Sequence, residues 1–191
     1  TRPELLGVSA RSAGPVTSDT RAEIFADGDR EVAVWLYPND PDLPGLATAA
    51  YPERMADLIT RLGLVGRPVS PAQVSLHMIG YRPRRRAVLR VDVTDPRRTF
   101  YVKVLRDRLF DEILARHRIL LRGGVPSPIV AGTTDDNLLI LAELPGQPLA
   151  KAIFDPVEPC TADDLIDVLD TMPAEVAALE RRPPWTDAVD H

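Results

Sequence analysis

Apolar residues recur along this chain with two different periods, and the switches between them mark its elements. Alternation with period two predicts strands over residues 21–26 and 31–37, joined by a turn at Asp27-Gly28-Asp29. Between Pro41 and Leu64 the pattern becomes helical: Met55, Leu58, Ile59 and Leu62 fall three and four apart, and Gly63 and Gly66 end the element. Period two returns over residues 74–79, 86–93 and 99–105, with Thr94-Asp95-Pro96-Arg97 as the turn between the last two. That order is a β-meander.

A helix is predicted over residues 107–121. Phe110, Ile113, Leu114, His117, Leu120 and Leu121 lie on one stripe, and Gly123-Gly124 stops it. Strands near residues 129–132 and 137–143 flank a turn at Asp135-Asp136. After Pro145-Gly146 the pattern predicts a short helix over 148–153 and a longer one over 162–181, with Thr161 and Asp164 as its N-terminal cap. Residues 1–20 are rich in Ser, Thr, Gly and Pro and read as a weakly ordered lead-in; the segment around Pro183-Pro184 reads as an exposed tail. Strands, a helix, two more strands and terminal helices make an α+β domain on an antiparallel sheet.

Composition narrows the function classes. Hydrophobic content of 45% and charged content of 27% are ordinary for a globular protein, and a net charge of −5 gives no general case for nucleic acid or membrane as partner. Trp35, Tyr37 and Tyr101 are too scattered to form a base-stacking platform. No apolar run approaches the roughly 18 residues that span a bilayer. One cysteine, Cys160, excludes an internal disulfide framework and points to a reducing cytoplasm. His77, His117 and His191 have no metal-ligand spacing. Lys103 stands out: it alternates with Phe100, Val102 and Val104, so it projects from the opposite face, into a cleft or out to solvent.

Several segments, taken in order, resemble the small-molecule kinases related to aminoglycoside phosphotransferases. Gly80-Tyr81-Arg82-Pro83 followed by Arg85-Arg86-Ala87-Val88-Leu89-Arg90 is similar to that family's first hairpin over the nucleotide. Val102-Lys103-Val104 resembles its V-A-I-K strand. Gly124-Val125-Pro126-Ser127-Pro128 resembles the G-V-P-x-P lead-in to the fourth strand, and Leu144-Pro145-Gly146-Gln147-Pro148-Leu149 the L-P-G-x-x-L segment past the interlobe hinge. The resemblance covers residues 75 to 153. It departs from the G-x-G-x-x-G loop of protein kinases: the hairpin has one glycine, Gly80, and four arginines.

The resemblance implies a protein-kinase-like N-terminal lobe, a five-stranded antiparallel sheet with one helix, over residues 71–144. An extension of two strands and a helix (1–70) would precede it, and the hinge with the first helices of a second lobe (145–191) would follow. Lys103 would place a point charge on the α- and β-phosphates of ATP. Glu112, with Asp111 as the alternative, would orient Lys103. Gly80 and Arg85 would lie over the phosphates, where an arginine-rich turn can meet phosphate oxygens. Adenine would meet a carbonyl at Ala142 or Glu143 and the amide of Leu144, since Pro145 has no N–H. The H-G-D-x-x-x-x-N loop and the acidic Mg²⁺ motif that follows it do not occur in the chain, so catalytic residues and metal ligands are expected outside it. The expected parent is an ATP-dependent phosphotransferase acting on an aminoglycoside- or sugar-like hydroxyl, with these 191 residues alone inactive. The competing expectation is a non-catalytic binding module. Leu165, Ile166, Leu169, Val176 and Leu179 include a helical stripe that suggests a homodimer or higher assembly.

Overall fold

The computed structural model describes residues 5–10, 22–27, 30–146, 148–152, 154 and 160–179. The chain divides into two units: Thr1–Leu114 with Pro128–Leu144, and Ala115–Ser127 with Pro145–His191. The protein is α+β.

In the first unit, β1 (Leu6–Ala10), β2 (Glu23–Asp27) and β3 (Arg30–Leu36) form a three-stranded sheet in the order β1-β3-β2. Helices α1 (Leu46–Ala49) and α2 (Pro52–Arg61) follow. Then β4 (Val74–Arg82), β5 (Arg86–Thr94), β6 (Arg97–Leu105), β7 (Val130–Thr133) and β8 (Leu138–Ala142) build a five-stranded antiparallel sheet in the order β4-β5-β6-β8-β7. Helix α3 (Asp107–Arg122) leaves the end of β6.

Alternation decides which side chains meet. Ala87, Leu89, Val91 and Val93 of β5 and Phe100, Val102 and Val104 of β6 are buried on one face. There they join Met55, Leu58 and Ile59 of α2, Leu43 and Leu46, and Leu138 and Ile140 of β8. The opposite face carries a second cluster, in which Leu105, Leu139 and Leu141 meet Phe110, Ile113 and Leu114 of α3. β8 has apolar neighbours on both faces, which is why it reads as the continuous run Leu138-Leu139-Ile140-Leu141 rather than as an alternation. Each large aliphatic side chain buried this way contributes about 1.5–3 kcal/mol.

Three expectations are corrected. Leu6–Ala10 is a strand, pairing from Leu6↔Leu36 to Ala10↔Val32. Its small residues serve packing: a Cβ on Gly7 would lie 2.2 Å from Cε2 of Trp35, so the bare backbone is what lets the indole lie against β1. The apolar segment between Pro41 and Leu64 is two helices, broken at Tyr51 with Pro52 in the first turn of α2, and Leu62 stays exposed. In the second unit, the expected long helix is α5 (Ala162–Asp170) and α6 (Ala174–Ala177), with Pro173, which cannot continue the amide ladder, as the N-cap of α6. The Thr161–Asp164 capping box forms as expected. A short α4 (Leu149–Ala152) precedes them. Gly28, Asp29, Ile153, Pro183 and Pro184 lie outside the described residues.

Gly7→Ala is expected to destabilise by about 1–3 kcal/mol through the clash with Trp35, and Leu138→Ala by about 2–5 kcal/mol through the cavity it leaves. Urea unfolding followed by tryptophan fluorescence checks both; midpoints equal to the parent's would refute this account of the packing.

Candidate functional site

The face of the five-stranded sheet opposite the main core is where chemistry concentrates. Register places Arg82 beside Arg86 and Gly80 beside Val88. It also places Val88 and Leu139 on either side of Lys103, and Arg90 beside Tyr101. Directly opposed residues of neighbouring strands share a face, so Gly80, Arg82, Arg86, Val88, Tyr101 and Lys103 lie together. A bulge between Met78 and Gly80 brings Gly80 onto this face, and a Cβ there would meet nothing within 4 Å.

Lys103 is half-buried. Burial pushes its pKa below the ordinary lysine value, and the positive charge of Arg86 pushes it further. Arg106, at the end of β6, is lowered in the same way by burial, with the charges of Arg108, Arg84 and Arg85 adding and Asp42 opposing. Cations therefore crowd both sides of the β4–β5 turn. Glu112 on α3 is half-buried and Asp111 is exposed. Arg85 is exposed on the turn itself, and its amide donates to the carbonyl of Arg82 at 2.9 Å.

At the end of β8 the backbone is divided between two neighbours. The Ala142 amide donates to the Ile129 carbonyl at 2.9 Å, and the Glu143 amide to the Thr99 carbonyl at 3.2 Å. Among the described residues the Leu144 amide donates to none, and Pro145 has no N–H to offer.

The other end of β5 and β6 carries a different constellation. Arg90 Nε donates to both oxygens of Asp92 at 3.0 Å, and Thr99 Oγ1 donates to Asp92 at 2.7 Å. Burial alone would raise the Asp92 carboxyl, but those donors and the Arg90 charge outweigh it and hold the carboxyl below its usual range. A concavity of about 420 Å³ lined by Arg90, Asp92, Thr94, Arg97, Arg98 and Thr99 opens here, away from Lys103. Among the described residues no group of three or more His, Cys, Asp or Glu side chains converges as a metal site.

The sequence reading missed a buried polar hub beneath the β4–β5 turn. Asp40 is fully buried. Its Oδ2 accepts from the Tyr81 hydroxyl and the Arg84 amide, both at 2.8 Å, and its Oδ1 from the Asp42 amide at 3.0 Å. Trp35 Nε1 donates to the Tyr81 oxygen at 3.2 Å. Arg84 is buried, its Nε donating to Asp42 at 2.9 Å, and its carbonyl accepts from Arg106 Nε. The nearest sequence signal is the turn-rich Pro38-Asn39-Asp40-Pro41-Asp42, which says nothing of a partner 44 residues away. Comparison with protein-family models, with curated proteins and with solved structures finds no match.

The hub has a pH signature. Burial, followed by the hydrogen bond to Asp40 and its charge, raises the Tyr81 hydroxyl pKa far above 10.0. A group raised on folding gives stability that is complete below its unfolded pKa and is lost as pH climbs through the folded one. Stability should therefore begin to fall as pH passes the ordinary tyrosine value of 10.0 and keep falling above it, and less steeply in Tyr81→Phe. Tyr37, raised by burial and by Tyr51, leaves a residual slope. Equal slopes in parent and variant, measured by urea midpoints across that range, would remove Tyr81 from this role.

Proposed function

We propose that the five-stranded sheet with α3 is the ATP-binding lobe of a kinase-like phosphotransferase acting on a small-molecule hydroxyl, of aminoglycoside or sugar type. The observation that carries the reading is Lys103: half-buried, beside Arg86, and depressed in pKa because two cations share a partly desolvated surface. A polyphosphate is the ligand that relieves that repulsion. Lys103 would meet the α- and β-phosphates, and Arg85 and Arg86 would meet phosphate oxygens from the hairpin. The Leu144 amide would give adenine its donor, and Glu112 would hold Lys103 in place.

Phosphoryl transfer is mostly positioning and charge stabilisation, and the residues named here supply the positioning of one substrate. Mg²⁺ bound through the phosphates would supply further charge neutralisation. Its protein ligands and the acceptor-positioning acid are proposed to lie outside these residues, in a cytoplasmic parent enzyme. No helix among the described residues is long and apolar enough to cross a membrane.

Titration calorimetry with ATP and Mg²⁺ is expected to give saturable binding that Lys103→Met weakens by roughly tenfold or more, as for loss of a charged contact. Affinity should also decline as pH rises through the depressed Lys103 pKa, because only the protonated amine attracts phosphate. Parent and variant that bind alike, or a parent that binds nothing, would overturn the reading.

A second reading, a non-catalytic binding module, draws on exposed apolar surface. Leu6, Val8, Phe25 and Leu36 of the three-stranded sheet, and Leu165, Ile166 and Leu169 of α5, are all exposed. Under it, sedimentation at micromolar concentration is expected to show a homodimer whether or not ATP binds. A monomer that binds ATP would discard this second reading.

A further inference from the structure

The β4–β5 turn contains a residue in a conformation that its side chain disfavours. Arg84 sits at φ +57° as the third residue of the turn Arg82-Pro83-Arg84-Arg85, a position where glycine is the favoured residue. Such strain, on the order of 1–3 kcal/mol, persists only where surrounding contacts over-determine it. Here every polar part of Arg84 is engaged. Its amide donates to Asp40, its carbonyl accepts from Arg106, and its guanidinium donates to Asp42 at 2.9 Å and reaches Ser9 Oγ at 3.5 Å. None of these partners lies in the hairpin. Asp40 and Asp42 come from the loop after β3, Ser9 from β1, and Arg106 from the start of the segment leading to α3.

We propose that Asp40 is a positioning residue for the phosphate-facing turn. It holds Arg84 in the left-handed conformation, and thereby fixes where Arg85 and Arg86 present their charge. The inference rests on the nucleotide reading above and extends the site: the segment before the five-stranded sheet becomes part of the binding apparatus. It also separates the four arginines of the hairpin by task. Arg84 is consumed in anchoring, while Arg82, Arg85 and Arg86 remain exposed. A turn held only by its own Arg85-to-Arg82 hydrogen bond would sample other shapes, and its charge would be spread over them. A buried carboxylate with fixed donors removes that freedom before any ligand arrives, which is the advantage of preorganisation.

The test uses the full chain as parent, Asp40→Asn, Arg84→Gly and the double variant. Two readouts are taken: hydrogen exchange of the Arg84 and Arg85 amides, and affinity for ATP with Mg²⁺ by calorimetry. Asp40→Asn keeps the shape of the side chain and removes its charge, and thermal unfolding reports whether it stays folded. In a folded Asp40→Asn variant, amide protection and ATP affinity are each expected to fall roughly tenfold, as for a lost hydrogen bond to a charged group. Adding Arg84→Gly should restore most of the affinity without restoring stability, because glycine takes positive φ unaided. A purely structural Asp40 would not be rescued in that way.

Unchanged protection and affinity in Asp40→Asn would overturn the inference while leaving the nucleotide reading intact. So would a loss of affinity that glycine at 84 does not repair. If Asp40→Asn does not fold, Tyr81→Phe, which removes one donor to Asp40, decides in its place: reduced protection of the Arg84 and Arg85 amides together with reduced ATP affinity supports the lock, and parental values of either refute it. A parent that binds no ATP overturns both readings at once, and is distinguished by the parent titration alone.

Discussion

A carboxylate withdrawn from water must be met by donors, and Asp40 sets the geometry of the first unit by needing them. Leaving it unpaired would cost on the order of several kcal/mol, more than a single contact in the fold contributes. Its donors are the Asp42 amide beside it and, 41 and 44 residues away, the Tyr81 hydroxyl on β4 and the Arg84 amide in the following turn. Trp35 then completes the Tyr81 oxygen from β3. One buried carboxylate therefore links the loop after β3 to the β4–β5 hairpin, with Trp35 of the three-stranded sheet joined to it through Tyr81.

Around that tie the five-stranded sheet has two faces that differ physically. One is apolar and covered by α2, so its residues contribute burial and little else. The other carries a smaller cluster, in which Phe110, Ile113 and Leu114 of α3 pack against Leu105, Leu139 and Leu141. Lys103 lies on this face at the edge of an apolar patch, which desolvates it without removing it from solvent. Partial burial is what makes such a group responsive: a fully exposed lysine would be screened, and a fully buried one would lose its proton.

The distribution of charge follows the same division. Near the Arg86 end, Lys103 and Arg106 are both depressed by burial and by neighbouring positive charge. Near the Thr94–Arg97 end, Asp92 is satisfied by Arg90 and Thr99, while Arg97 and Arg98 line the same concavity.

Local pattern was enough for the elements of the five-stranded sheet and for the face on which Lys103 stands. Alternation in β5 and β6 separates Phe100, Val102 and Val104 from Tyr101 and Lys103, because a strand's side-chain period is fixed by backbone geometry. The stripe of Met55, Leu58 and Ile59, and the Thr161–Asp164 cap, are legible for the same reason. The strand at Leu6–Ala10 was not, because Gly7 and Ser9 look like loop residues until Trp35 is laid against them. Nor could the hairpin's arginines be told apart from composition. Arg84 is the buried one only because Asp40 and Asp42 lie beneath the turn, and a hydrogen bond across 44 residues leaves no periodic trace in sequence. Periodicity records what a residue's own backbone imposes, whereas the pairing of a buried charge is decided when distant segments meet and water is excluded between them.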